Sequence, residues 1–195
     1  VGLNLLRTGK YEEAADYFRR SLEKDPESAE ACAGLGAALC RLGRREDALD
    51  AFDECLEKHP ERHDVYLARG VCHHLGGPRS LEAAYADYQK STELKPRNPS
   101  AHNQMALIHQ YLEQHEKAIA EFEKVIEQDP DFFLAYNNLG ASLIALGRYG
   151  EAIAVIQKAI AKNPDMEGLH LYKNLGVAFL YVGRKDEAEA AFLLE

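Results

Sequence analysis

The sequence predicts an all-α chain, a solenoid of about five and a half tandem helix pairs, and three observations predict it. Pro26, Pro60, Pro96, Pro130 and Pro164 divide the chain at intervals of 34, 36, 34 and 34 residues. Ahead of each proline stands an alanine (Ala14, Ala48, Ala84, Ala118, Ala152) and, one turn later, a large apolar residue (Phe18, Phe52, Tyr88, Phe122, Ile156). Further upstream a small residue recurs at Gly2, Gly36, Gly70, Ala106, Gly140 and Gly176. A fixed period in the mid-thirties marks one supersecondary unit stacked on copies of itself, each too small to bury its apolar face alone.

Each unit reads as helix, glycine turn, helix, proline turn. The small residue of the first helix lets its partner approach, at a cost of about 1 kcal/mol in helix propensity where it is glycine. Gly9, Gly43, Gly147 and Gly183 follow where a left-handed helix cap is expected. The alanine and large apolar residue of the second helix fill the gap between partners. Helices are expected to start near Glu12, Ser28, Glu46, Arg62, Leu81, Pro99, Glu116, Phe132, Tyr149, Met166 and Lys185. The long step between Pro60 and Pro96 places an enlarged turn at Gly76–Ser80, since Pro78 cannot continue a helix. A second excess falls within Asp165–His170, where an extended helix start or looser turn is expected.

These residues resemble the tetratricopeptide repeat along the whole chain. The resemblance is clearest in AYNNLGASLIALGRYGEAIAVIQKAIAKNP (residues 135–164), and stretches from Leu35 (LGAALCRLGRREDALDAFDECLEKHP) and Leu175 (LGVAFLYVGRKDEAEAAF) are similar. It implies a right-handed superhelix forming one domain, with repeats at about 1–27, 28–61, 62–97, 98–131, 132–165 and 166–195. The first and last are truncated and no solvating cap is visible, so the chain reads as a segment of a longer protein.

Composition excludes several classes of function. A net charge of −9 argues against nucleic acid as the principal partner, because phosphate binding needs clustered Lys and Arg. No apolar run approaches the roughly 20 residues of a membrane span, and the residues given carry no signal-peptide pattern, so neither a membrane nor a secretory route is expected. Cys32, Cys40, Cys55 and Cys72 lack CxxC pairing and occupy four different repeat positions, so buried free thiols and a reducing compartment such as the cytoplasm are expected. Cys72, His73 and His74 are consecutive and point in different directions on a helix, which disfavours a shared metal. There is no phosphate loop, GxSxG elbow or HExxH pair. No catalytic, metal or cofactor residue is assigned.

What remains is the face of the first helices, which in the resembled family lines a concave groove. The positions this implies are Asn103, Gln104, Leu107, Gln110 and Tyr111 in the fourth repeat and Asn137, Asn138, Ala141, Ile144 and Ala145 in the fifth. The sixth contributes Lys173, Asn174, Val177, Leu180 and Tyr181. Gln104, Asn138 and Asn174 then form a ladder of carboxamides, groups that donate and accept and so can pair with the backbone of an extended peptide. A similar asparagine ladder, in the setting AYxNLG, characterises the repeats of O-linked N-acetylglucosamine transferase. In the first half Gly34 and Ala68 take the equivalent places. The lysine, asparagine and arginine clamp of co-chaperone repeats is missing, with Ala33, Ala37, Ala68, Ser100 and Gln104 at its positions. The expected function is a non-catalytic scaffold for a protein or peptide partner. The alternatives are the substrate-recruiting arm of a larger enzyme such as a glycosyltransferase, or self-association through the ends of the stack, tested at Phe179 and Phe192.

Overall fold

The computed structural model describes residues 1–163 and 170–194. The chain falls into two compact units, Val1–Arg97 and Asn98–Glu195, divided where the third repeat is expected to give way to the fourth. Unit 1 holds α1 (Gly2–Arg7), α2 (Tyr11–Lys24), α3 (Ala29–Arg41), α4 (Arg45–Lys58), α5 (His63–Leu75) and α6 (Leu81–Leu94). Unit 2 holds α7 (Pro99–Tyr111), α8 (His115–Gln128), α9 (Phe133–Ala145), α10 (Tyr149–Lys162), α11 (Leu171–Tyr181) and α12 (Lys185–Phe192). There is no strand among the described residues. The expected helix starts agree with these bounds to within one residue, except Met166, which lies outside the described residues together with most of the 165–170 excess.

The periodic residues form the core for the reason their spacing suggests. Ala14, Ala48, Ala84, Ala118 and Ala152 are fully buried, and Phe18, Phe52, Tyr88, Phe122 and Ile156 pack beside them, equally enclosed. A methyl group on Gly36 would sit 2.7 Å from the Phe52 ring, and one on Gly140 would sit 2.7 Å from Ile156. The missing side chain is therefore what admits the neighbouring wedge, and burial of that wedge, at about 1.5–3 kcal/mol, offsets the glycine's helical cost.

First helices end in a repeated cap. Arg44 N–H donates to Leu39 O at 3.0 Å and Arg148 N–H to Leu143 O at 2.9 Å, with Gly43 and Gly147 between them in the left-handed region. This six-to-one bond satisfies carbonyls that the helix end would otherwise orphan. In the fourth repeat the position is Glu113, held at φ 57°, and Gln114 N–H still donates to His109 O at 2.8 Å. A side chain there carries left-handed strain that glycine lacks. Glu113→Gly is expected to stabilise unit 2 by about 0.5–1 kcal/mol, read as a shift in denaturation midpoint at constant slope.

The enlarged turn of the third repeat lies where expected. Gly77 takes φ 86° and Pro78–Ser80 form one 3-10 turn ahead of α6. Arg45 of α4 reaches over Gly76 and donates to Ser80 Oγ at 2.5 Å, anchoring the insertion to the preceding repeat.

The cysteines correct the sequence expectation. Cys32 is bonded to Cys55 and Cys40 to Cys72, and no free thiol remains. Their Cα separations of 5.5 and 5.8 Å lie in the disulfide range. Different repeat positions do not keep cysteines apart, because a first helix touches both its own partner and the next first helix. One bond joins α3 to α4 within a repeat; the other joins α3 to α5 across two. The inference to a reducing compartment rests on free thiols and falls with them.

Candidate functional site

The first helices of unit 2 supply the residues singled out in the sequence, and the structure sorts them. Gln104 on α7 and Asn138 on α9 are half-buried, and their carboxamides make no hydrogen bond among the described residues. Asn174 on α11 is also half-buried, but its Nδ2 donates to Asn137 Oδ1 at 2.8 Å, so these two link successive repeats. Asn103 is a correction. It is buried, 4 % exposed, with Oδ1 unpartnered among the described residues, because its register turns it into the packing seam and away from solvent. Lys173 is exposed. Tyr111 and Tyr181 are exposed as well, and Tyr181 lies flat on Tyr149 with ring centroids 4.5 Å apart.

Gln110 carries a role that sequence reasoning gives to no one residue. Its Nε2 donates to Asn138 O at 3.3 Å and to Ser142 Oγ at 3.1 Å, tying α7 to α9 just below the free Asn138 carboxamide. Ser142 is fully buried, so the bond also satisfies a hydroxyl that would be costly to leave unpaired. On the same helices Leu107, Ala141, Ile144 and Val177 are half-buried and Leu180 is exposed, and the one charged residue among the assigned positions is Lys173. The face is thus nearly neutral in a chain of net charge −9.

The other polar clusters are structural. His102 Nδ1 and Glu121 Oε2 lie 2.6 Å apart, and Lys124 reaches Glu121 at 2.7 Å. Burial opposes ionisation of Glu121, but the hydrogen bonds from His102 and Lys124 outweigh it and hold the carboxyl below its ordinary value of 4.5. The stability this confers is present above that ordinary value and is lost as pH falls through the lowered one. Among the described residues no cluster of three His, Cys, Asp or Glu could hold a metal, and no helix is long and apolar enough to cross a membrane. Of the two phenylalanines proposed for self-association, Phe179 is buried, whereas Phe192, Leu193 and Leu194 are exposed.

Models of the tetratricopeptide repeat match residues 5–72 and 103–167. The chain belongs to the tetratricopeptide repeat family. No curated protein matches it in sequence. Among solved structures it is similar to YrrB, described as a tetratricopeptide repeat protein with an unusual peptide-binding site, at TM-score 0.75 and 19% identity over 92% of this chain and 91% of that one. MamA superposes with TM-score 0.72 at 23% identity, over 84% of this chain and 95% of its own. TTC0263 of Thermus thermophilus gives 0.69 at 24% identity, covering 92% and 95%. Likeness at this identity establishes the tetratricopeptide repeat fold. The side chains of the first-helix face are this chain's own.

Proposed function

We propose that this tetratricopeptide repeat chain is a non-catalytic scaffold that holds an extended segment of a partner protein against α7, α9 and α11. The observation that carries the reading is the pair of free, half-exposed carboxamides at Gln104 and Asn138, on helices that also carry half-buried Leu107, Ala141, Ile144 and Val177. A polar group left unpaired in a half-buried setting gains from a partner that donates and accepts, and an extended peptide backbone offers both. With Lys173 its one charge among the assigned positions, the face points to recognition through backbone and apolar contacts, with weak dependence on salt. The peptide-binding site for which YrrB is described accords with this use of the fold.

Asn138→Ala is expected to weaken binding of peptides selected from an immobilised random library by about fivefold, the equivalent of roughly 1 kcal/mol per lost hydrogen bond. The melting temperature should hardly move, since the side chain supports no described contact. Equal affinity of mutant and wild type would remove the carboxamides from the site.

A further inference from the structure

A cleft of about 420 Å³ opens between α8 and α10, floored by Tyr136 and Leu139 of α9. Its α8 wall carries Glu123, Ile126 and Glu127; its α10 wall carries Val155, Lys158 and Lys162. At about 100° per residue, Tyr136 and Leu139 lie on the side of α9 opposite Asn138, Ala141 and Ile144. The cleft is therefore separate from the proposed peptide face and can be filled independently of it.

At the corresponding positions of unit 1, between α4 and α6, a side chain of the chain itself bridges the two walls. Arg69 of α5 occupies the repeat position of Leu139, Asp53 of α4 that of Glu123, and Asp87 of α6 that of Val155. The Arg69 guanidinium forks onto Asp87 at 2.6 and 3.0 Å and reaches Asp53 at 2.5 Å, with Tyr66 beneath it. In unit 2 the arginine is replaced by leucine, and Glu123 and Glu127 line the opening with no hydrogen bond or ion pair among the described residues, although Glu123 lies within the field of Arg148. Two of the nearby basic groups make their hydrogen bonds to other residues. Lys162 donates to Pro130 O at 2.8 Å and to Asp131 at 2.9 Å, and Arg148 forks onto Glu151 at 2.6 and 2.7 Å. Lys158 stands on the far wall, exposed.

We infer that the α8–α10 cleft is a second docking site that takes an arginine side chain, flanked by apolar residues, from a partner protein. The guanidinium meets Glu123 and Glu127 as Arg69 meets Asp53, and the neighbouring apolar side chains cover Ile126, Leu139 and Val155. Arginine fits better than lysine because its planar fork can engage two carboxylates at once.

The test uses the whole chain with labelled Ile, Leu and Val methyl groups, titrated with acetyl-Leu-Arg-Leu amide and with its uncharged citrulline counterpart. Saturable shifts at Ile126, Leu139 and Val155 are expected with the arginine peptide. Binding should be about tenfold weaker for citrulline, and for wild-type peptide on Glu123→Gln/Glu127→Gln. Asn138→Ala should leave it unchanged, so failure here is distinct from failure of the peptide face. Leu139→Arg should plug the cleft from within and abolish the shifts; should it not fold, the surface glutamine pair still decides. Equal binding of the two peptides, a preference for acetyl-Leu-Glu-Leu amide at Lys158, or no shift at those methyls would overturn the proposal.

Discussion

Arg69→Leu is expected to destabilise unit 1 by about 3 kcal/mol, and adding Asp87→Val is expected to recover most of that loss. Asp87 is only 5 % exposed, and Arg69 is the group that neutralises it. Removing the arginine leaves a buried carboxylate uncompensated, which costs more than the pair contributes when intact. Hydrogen bonding to Asp87, and secondarily to Asp53, raises the already high guanidinium pKa, so Arg69 stays charged. The double variant reproduces the leucine and valine that unit 2 carries at the same repeat positions, Leu139 and Val155. Denaturant titration of both singles and the double gives the coupling directly. A single variant within about 0.5 kcal/mol of wild type would show the network to be a solvated surface feature.

Reduction of the disulfides is expected to have an effect of similar or larger size, confined at first to unit 1. Each bond contributes about 2–4 kcal/mol, and Cys32–Cys55 and Cys40–Cys72 both lie among α3, α4 and α5. Unit 2 has no cysteine and serves as an internal control. Adding dithiothreitol should lower the unfolding temperature of unit 1 by more than about 10 °C, while amide protection in α9 and α10 changes little. Unreduced protein unfolded in guanidinium should show no reactive thiol. Four reactive thiols would instead return the cysteines to the free state that their sequence spacing suggests.

Which features are legible in the sequence follows from how local they are. Helix boundaries are, because each is set within a few residues: Pro60 and Pro130 stop helices, Gly43 and Gly147 cap them, and Ala48 with Phe52 fixes the buried stripe. The enlarged turn at Gly76–Ser80 is visible for the same reason. The disulfides are not, since pairing Cys40 with Cys72 requires knowing which face of α3 meets α5. Repeat position assigns Asn103 to the groove, yet one residue of register separates it from Gln104 and turns it into the seam. The tie between Asn137 and Asn174 spans 37 residues, more than one period, so spacing alone does not pair them. Arg69 does leave a signal. It is an arginine where the other repeats have Leu35, Met105, Leu139 and Leu175, and a charge in an apolar register needs a partner.

The scaffold reading turns on whether Asn138 and Gln104 hold a peptide by its backbone. The most direct measurement is the affinity of one library-selected peptide and its singly N-methylated variants for wild-type chain and for Gln104→Ala/Asn138→Ala. Methylation removes one backbone donor at a time without changing any side chain. Loss of affinity by about fivefold at one or two positions, abolished in the double variant, is the result predicted. Methylation that is harmless everywhere, or equally harmful in wild type and variant, would contradict backbone capture by the carboxamides.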